Sequence, residues 1–220
     1  MILEADNIEL AFKNKQILNG IYLKAETGKI TGILGHNGSG KSCLLHIIFG
    51  DLKPKYKLIR IDKIPFLTPL YQSGYIGLLP QHSFLPNQIT LKTLFWFMRM
   101  DWVLFAALFP LFSKYKHKKA KHLSGGECRI LEIYLLLKGP YKIALLDEPF
   151  SHIAPLYIEK LKDIITEEKK RKIIILTDHS YQNVIDVSDE IYLIKNGCSK
   201  RINSTKELLD YNYLTIGELN

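Results

Sequence analysis

Short β-branched and aliphatic runs alternate along the chain with stretches whose apolar residues recur every three or four positions. That pattern belongs to a mostly parallel sheet flanked by helices. Ile30 to Leu34 (ITGIL) reads as a buried strand, and Leu44 to Phe49 (LLHIIF) as an apolar helix that stops at Gly50. Further strands are expected at Tyr75–Leu79, Lys142–Leu146, Lys172–Thr177 and Glu190–Ile194. Pro155 opens a helix that gathers Leu161, Ile164 and Ile165 on one face and turns Lys160, Asp163 and Glu167 outward. The first two dozen residues alternate weakly and predict antiparallel strands beside the main sheet. From about Thr90 to Ala120 the chain is aromatic-rich and lacks β-branched runs, which predicts an inserted helical subdomain. Its own core is expected to hold most of Phe95, Trp96, Trp102 and Phe105.

Composition narrows the class without naming a chemistry. With 220 residues and 47% hydrophobic positions, the chain can bury a sizeable core and is neither disordered nor a disulfide scaffold. The three cysteines, Cys43, Cys128 and Cys198, form no CxxC pair and fit a reducing compartment. The opening MILEADNIEL lacks the basic and then apolar regions of an export signal. Arg99 and Asp101 interrupt the most apolar stretch, Leu94 to Phe112, so it falls short of the roughly 20 apolar residues that a bilayer span requires. The net charge of +8 owes much to the run Lys114 to His122. It reads as a solvated basic face rather than a nucleic-acid surface, and attraction to an anionic membrane surface is compatible with it.

Three motifs carry chemistry. GHNGSGKS, the run Gly35, His36, Asn37, Gly38, Ser39, Gly40, Lys41 and Ser42, fits a phosphate-binding P-loop set between strand and helix. Its glycines let backbone N–H groups converge on an anion at a helix N-terminus, with Lys41 on the β and γ phosphates and Ser42 on Mg²⁺. One hydroxyl cannot hold Mg²⁺ alone, and KIALLDEP supplies Asp147 for the metal, followed by Glu148, which can polarise an attacking water. The third motif is LSGGE (Leu123, Ser124, Gly125, Gly126, Glu127), whose hydroxyl, amides and following helix make a second anion-binding surface. Two such surfaces serve a head-to-tail pair of chains, each capping the nucleotide held by the other.

The order and spacing of these motifs resemble the ATP-binding cassette (ABC) family, specifically the nucleotide-binding subunit of a transporter, over nearly the whole chain. The resemblance implies an α/β P-loop NTPase core with a mostly parallel sheet, an N-terminal antiparallel β subdomain and a short inserted helical subdomain, all within one domain, 1–220, with the subdomain at about 83–140. It further implies ATP and Mg²⁺ as cofactors, Phe12 stacked on adenine, Cys43 beside the phosphates, Gln81 touching the metal and sensing a membrane partner, and His179 on the γ-phosphate. Glu148, Lys41 and His179 are the expected catalytic residues, and Ser42, Gln81 and Asp147 the expected metal set. The implied partners are a separate multi-span transmembrane subunit and a second copy or a homologous cassette, at the cytoplasmic face of the membrane. The docking surface is expected near Gln81 and the aromatic segment Phe95 to Phe112.

Two departures stand out. Where the family usually has SALD after the catalytic glutamate, this chain has Ser151, His152, Ile153 and Ala154, so the aspartate is replaced by Ala154. The interval between Gln81 and Leu123 is also short for the family, which predicts a trimmed subdomain. A soluble ABC ATPase acting on ribosomes or nucleic acid, and a low-turnover ATP-binding regulatory module, stay open as alternatives. The transported substrate is not encoded in this chain.

Overall fold

A computed structural model describes residues 1–13 and 15–214, so Asn14 and residues 215–220 of the expected 1–220 unit lie outside the described residues. Two sheets organise the fold. The N-terminal hairpin, β1 (Ile2–Phe12) and β2 (Lys15–Glu26), joins β4 (Tyr56–Ile61) and β5 (Ile64–Pro65) in an antiparallel sheet of order β2-β1-β4-β5. The central sheet combines β3 (Ile30–Leu34), β6 (Ile76–Leu79), β7 (Ile143–Asp147), β8 (Ile173–Thr177), β9 (Glu190–Lys195) and β10 (Cys198–Ile202) in the order β10-β9-β3-β8-β7-β6. All of its pairings are parallel except that of β10, which closes one edge as an antiparallel strand.

Period-two alternation in fully buried strands sends successive side chains into two separate cores. Ala144, Leu146, Ile174 and Leu176 face one, together with the helical insertion. Ile143, Leu145, Ile173 and Ile175 face the other, together with α1 (Lys41–Phe49) and the N-terminal hairpin. The predicted strands begin within a residue of those observed. The additional strands β4, β5 and β10 carry exposed positions and no apolar run, which is why hydrophobic patterning does not pick them out.

The insertion contains α2 (Leu91–Phe97), α3 (Trp102–Leu108) and α4 (Gly125–Lys138). Thr90 and Asp101 cap the two short helices, each side chain accepting from a first-turn N–H. Phe105 is fully buried and lies 4.8 Å from both Tyr134 and Phe112, 5.1 Å from Phe95 and 5.4 Å from Phe109, centroid to centroid. Trp96 corrects the expectation for this core. It is 78% exposed, with Phe97 beside it, because α2 is only two turns long and offers the interior Leu91, Leu94 and Phe95 alone. Behind the sheet, α5 (Pro155–Glu168) buries Leu161, Ile164 and Ile165 as its periodicity requires, and α6 (Tyr181–Val187) and α7 (Glu207–Asp210) complete the chain.

Phe105→Ala removes the ring at the centre of this aromatic cluster and should cost about 3–5 kcal/mol of stability, measured by urea unfolding.

Candidate functional site

The strand order places the C-terminal ends of β3, β8, β7 and β6 side by side, the edge at which open parallel sheets bind ligands. The phosphate loop follows β3, Asp178 and His179 follow β8, Asp147 ends β7 with Glu148 directly after it, and Gln81 follows β6. A cleft of 510 Å³ opens there and is lined by Phe12, Ile17, Asn37, Gly38, Gly40, Lys41, Ser42, Cys43, Gln81, Glu148 and His179.

Gly40 caps α1 at φ 99°, and a Cβ there would lie 2.6 Å from Leu18 of the N-terminal hairpin, so only glycine lets the loop turn into the helix under that strand. No side chain caps α1, which leaves its first-turn N–H groups directed at the cleft. Lys41 is buried, and its ammonium donates to the carbonyls of Gly35 (2.7 Å) and His36 (3.3 Å). Burial lowers its pKa, opposed by the negative charges of Glu148, Asp147 and Asp178. Cys43 is half-buried and its thiol is pushed up by burial, which keeps it protonated. The His36 ring lies 5.1 Å from that of Tyr213, so the C-terminal segment packs against the phosphate loop.

The residues proposed to hold a divalent cation fit that task by their geometry. Asp147 is buried, its Oδ1 accepts from Ser42 Oγ at 3.1 Å, and its Oδ2 is buried without a hydrogen-bond partner among the described residues. Burial raises its pKa, against the lowering effect of the Ser42 hydroxyl. Such an orphaned carboxylate oxygen beside a serine hydroxyl has the hard-oxygen chemistry that Mg²⁺ prefers. Gln81 donates through Nε2 to Ser42 Oγ (3.3 Å) and to Glu148 Oε1 (2.6 Å), so its amide must turn over before an oxygen faces a metal. His179 Nε2 also lies 2.9 Å from Glu148 Oε1. Phe12 is half exposed at the mouth of the cleft.

Among the residues that line this cleft, none comes from Leu123–Glu127. Ser124 caps α4 in a reciprocal capping box: its hydroxyl accepts from Glu127 N at 3.3 Å, and the Glu127 carboxylate accepts from Ser124 N at 2.7 Å. Glu127, expected among the nucleotide contacts, thus directs its carboxylate onto its own helix end. Gly126 packs on the loop after Glu148, where a Cβ would come within 2.5 Å of the His152 carbonyl.

Three polar residues at this site escape motif reading. Asp178 is buried and accepts from Phe150 N (2.9 Å) and Ser180 N (3.0 Å), and burial raises its pKa. Arg129 and Glu132 are buried in α4 and hold the backbone around Gln81. Their signal in the sequence is a charged pair three apart within the otherwise apolar run CRILEIYLLL.

A family model described as ABC transporter matches residues 18–151. The chain is 29% identical over 213 residues to the lipopolysaccharide export system ATP-binding protein LptB of Haemophilus influenzae, covering 89% of this chain and 88% of that protein. It is 32% identical over 213 residues to an uncharacterized ABC transporter ATP-binding protein of Methanocaldococcus jannaschii, covering 90% and 84%. Among solved structures, an ATP binding subunit of an ABC transporter superposes with a TM-score of 0.79 at 19% identity, over 100% of this chain and 98% of that one, a likeness of fold.

Because burial holds the native Asp147 pKa above its ordinary 3.8, the folded state binds the proton more tightly than the unfolded chain, and stability falls as pH rises through that window. At neutral pH without nucleotide, Asp147→Asn should therefore melt at or above the wild-type temperature. Magnesium and ATP at about 100 times the Kd should add about 2.7 kcal/mol to the wild type and markedly less to the variant. Equal gains in thermal melts would remove Asp147 from the metal site.

Proposed function

The chain belongs to the ABC transporter family, and from that premise we propose that it works as a pair of ATPase subunits whose closure on ATP drives a separate transmembrane subunit. The observation that carries the pairing is the split site: no residue of Leu123–Glu127 lines the phosphate cleft, and Leu123 and Gly125 open instead into a neighbouring cavity that reaches Gln81 and Glu148. A head-to-tail partner, a second copy or a homologous cassette, brings Ser124, Gly125 and Gly126 over the phosphates.

In this reading adenine stacks on Phe12, and the triphosphate meets the N–H groups of the loop from Gly35 to Ser42. Lys41 leaves its loop carbonyls for the β and γ phosphates. Ser42 and Asp147, joined by Gln81 once its amide turns, would hold Mg²⁺. When bound, the ion neutralises charge on the phosphate oxygens. Glu148 orients the attacking water and accepts its proton, and His179 contacts the γ-phosphate from the end of β8. ATP first has to displace the contacts that Gln81 and His179 make to Glu148.

The membrane partner docks in the groove of 430 Å³ beside the Gln81 loop, lined by Phe49, Tyr71, Phe84, Met98, Leu135 and Tyr141 among others. The exposed Trp96 and Phe97 next to Met98 extend that surface. No helix among the described residues is long and apolar enough to cross a membrane. In this reading the stroke acts on a separate chain at the cytoplasmic face. Ala154 favours a second reading, a low-turnover ATP-binding module. It stands at the N-cap of α5 and offers no side-chain cap and no charge toward a partner.

Glu148→Gln should cut the steady-state rate of phosphate release by about 10²–10⁴-fold, the usual contribution of a general base. It should also accumulate an ATP-bound dimer by light scattering. Unchanged turnover would overturn the role of Glu148, and a variant that stays monomeric with ATP would overturn the pairing. Negligible turnover in the wild type would support the low-turnover module.

A further inference from the structure

A buried guanidinium links the helix of the LSGGE motif to the backbone of the acidic residue that handles water. Arg129 lies in the second turn of α4 and is 7% exposed. Its Nη1 donates to the Pro80 carbonyl at 2.5 Å. Its Nη2 donates to the carbonyls of Asp147 and Glu148, the latter at 3.0 Å. One side chain therefore spans the ends of β6 and β7. Glu132, one turn further on, brings Oε2 within 3.7 Å of the guanidinium. Its other oxygen accepts from Ser83 Oγ (2.6 Å) and Phe84 N (2.9 Å). The pair thus grips the loop on both sides of Gln81, whose amide in turn touches the Glu148 carboxylate.

Glu148 has a specific need for such a grip. Its φ is +53°, a left-handed conformation that costs a non-glycine residue free energy and persists only where the surroundings impose it. Three hydrogen bonds fix its backbone: its N–H donates to the Thr177 carbonyl at 2.8 Å, and its C=O accepts from Arg129 at 3.0 Å and, more weakly, from Ser151 N at 3.3 Å. A return to ordinary backbone angles would swing that carbonyl off the guanidinium and the carboxylate away from the cleft. A lysine cannot reproduce the fork, since its single ammonium lacks the planar set of donors that reaches three carbonyls at once.

We propose that Arg129 is a positioning residue for ATP hydrolysis, holding Glu148 in its left-handed conformation so that the carboxylate is aimed at water only while α4 and the Gln81 loop are seated together. This rests on the reading of Glu148 given above. Movement of the helix that carries Ser124 is thereby transmitted to the hydrolytic centre of the same chain through one side chain.

The test is a double-mutant cycle with nucleotide affinity measured in parallel. Arg129→Lys should lower kcat by about tenfold and Arg129→Met by about a hundredfold, as expected for the loss of charge-assisted hydrogen bonds, while each keeps its Kd for a fluorescent ATP analogue within about threefold. In a Glu148→Gln background the same substitutions should change the residual rate less than about twofold, because a residue acting through Glu148 has nothing left to position. Nucleotide affinity and kcat falling together, or full additivity with Glu148→Gln, would reduce Arg129 to a structural role and overturn the proposal. Arg129→Lys keeps the cation and the aliphatic stem, so it decides the matter if Arg129→Met does not fold. Wild-type turnover that survives Glu148→Gln overturns the reading of Glu148 and the proposal with it. Turnover that is lost in Glu148→Gln but retained in both Arg129 variants overturns the proposal alone.

Discussion

A carboxylate oxygen that is desolvated and unpartnered is costly inside a folded chain, and Asp147 carries one at the end of β7, without a hydrogen-bond partner among the described residues. Around it stand further buried charges: Lys41 and Arg129 on one side of the balance, Asp178 on the other. Each is displaced toward its neutral form by burial, and each is held by backbone groups more than by another side chain. A divalent cation beside Asp147 and an anion beside Lys41 would each find a charge of opposite sign in this arrangement.

The rest of the architecture keeps those charges in register. Parallel strands buried on both faces allow little sliding, since a shift by one residue would exchange the two cores. Ile143 and Leu145 would then face the helical insertion, while Ala144 and Leu146 would turn toward α1. The strand ends that present the phosphate loop, Asp147 and His179 are therefore fixed relative to one another by packing several residues away. The insertion is joined to this frame by its aromatic cluster and by the polar grip of Arg129 and Glu132, so that it rests on the sheet and on the Gln81 loop at once.

Much of this was legible in the sequence where local chemistry and period agree. ITGIL followed by GHNGSGKS has one sensible reading because strand, glycine-rich turn and helix each require the next. The strand before Asp147 and the helix after Pro155 are equally explicit. What escaped has physical reasons. β4 and β10 are held by pairing along the backbone rather than by apolar side chains, so their residues carry little pattern. Trp96 reads as core because aromatic residues usually are, yet the brevity of α2 leaves it outside. Arg129 and Glu132 look like a solvated helix face at their spacing, and only the burial of α4 on all sides turns them inward. The capping role of the Glu127 carboxylate is a local preference that the wider motif obscures.

The ring of Tyr213 lies against that of His36, although these residues lie far apart along the chain. A change at Tyr213 is therefore felt at the phosphate loop directly, through contact between two rings.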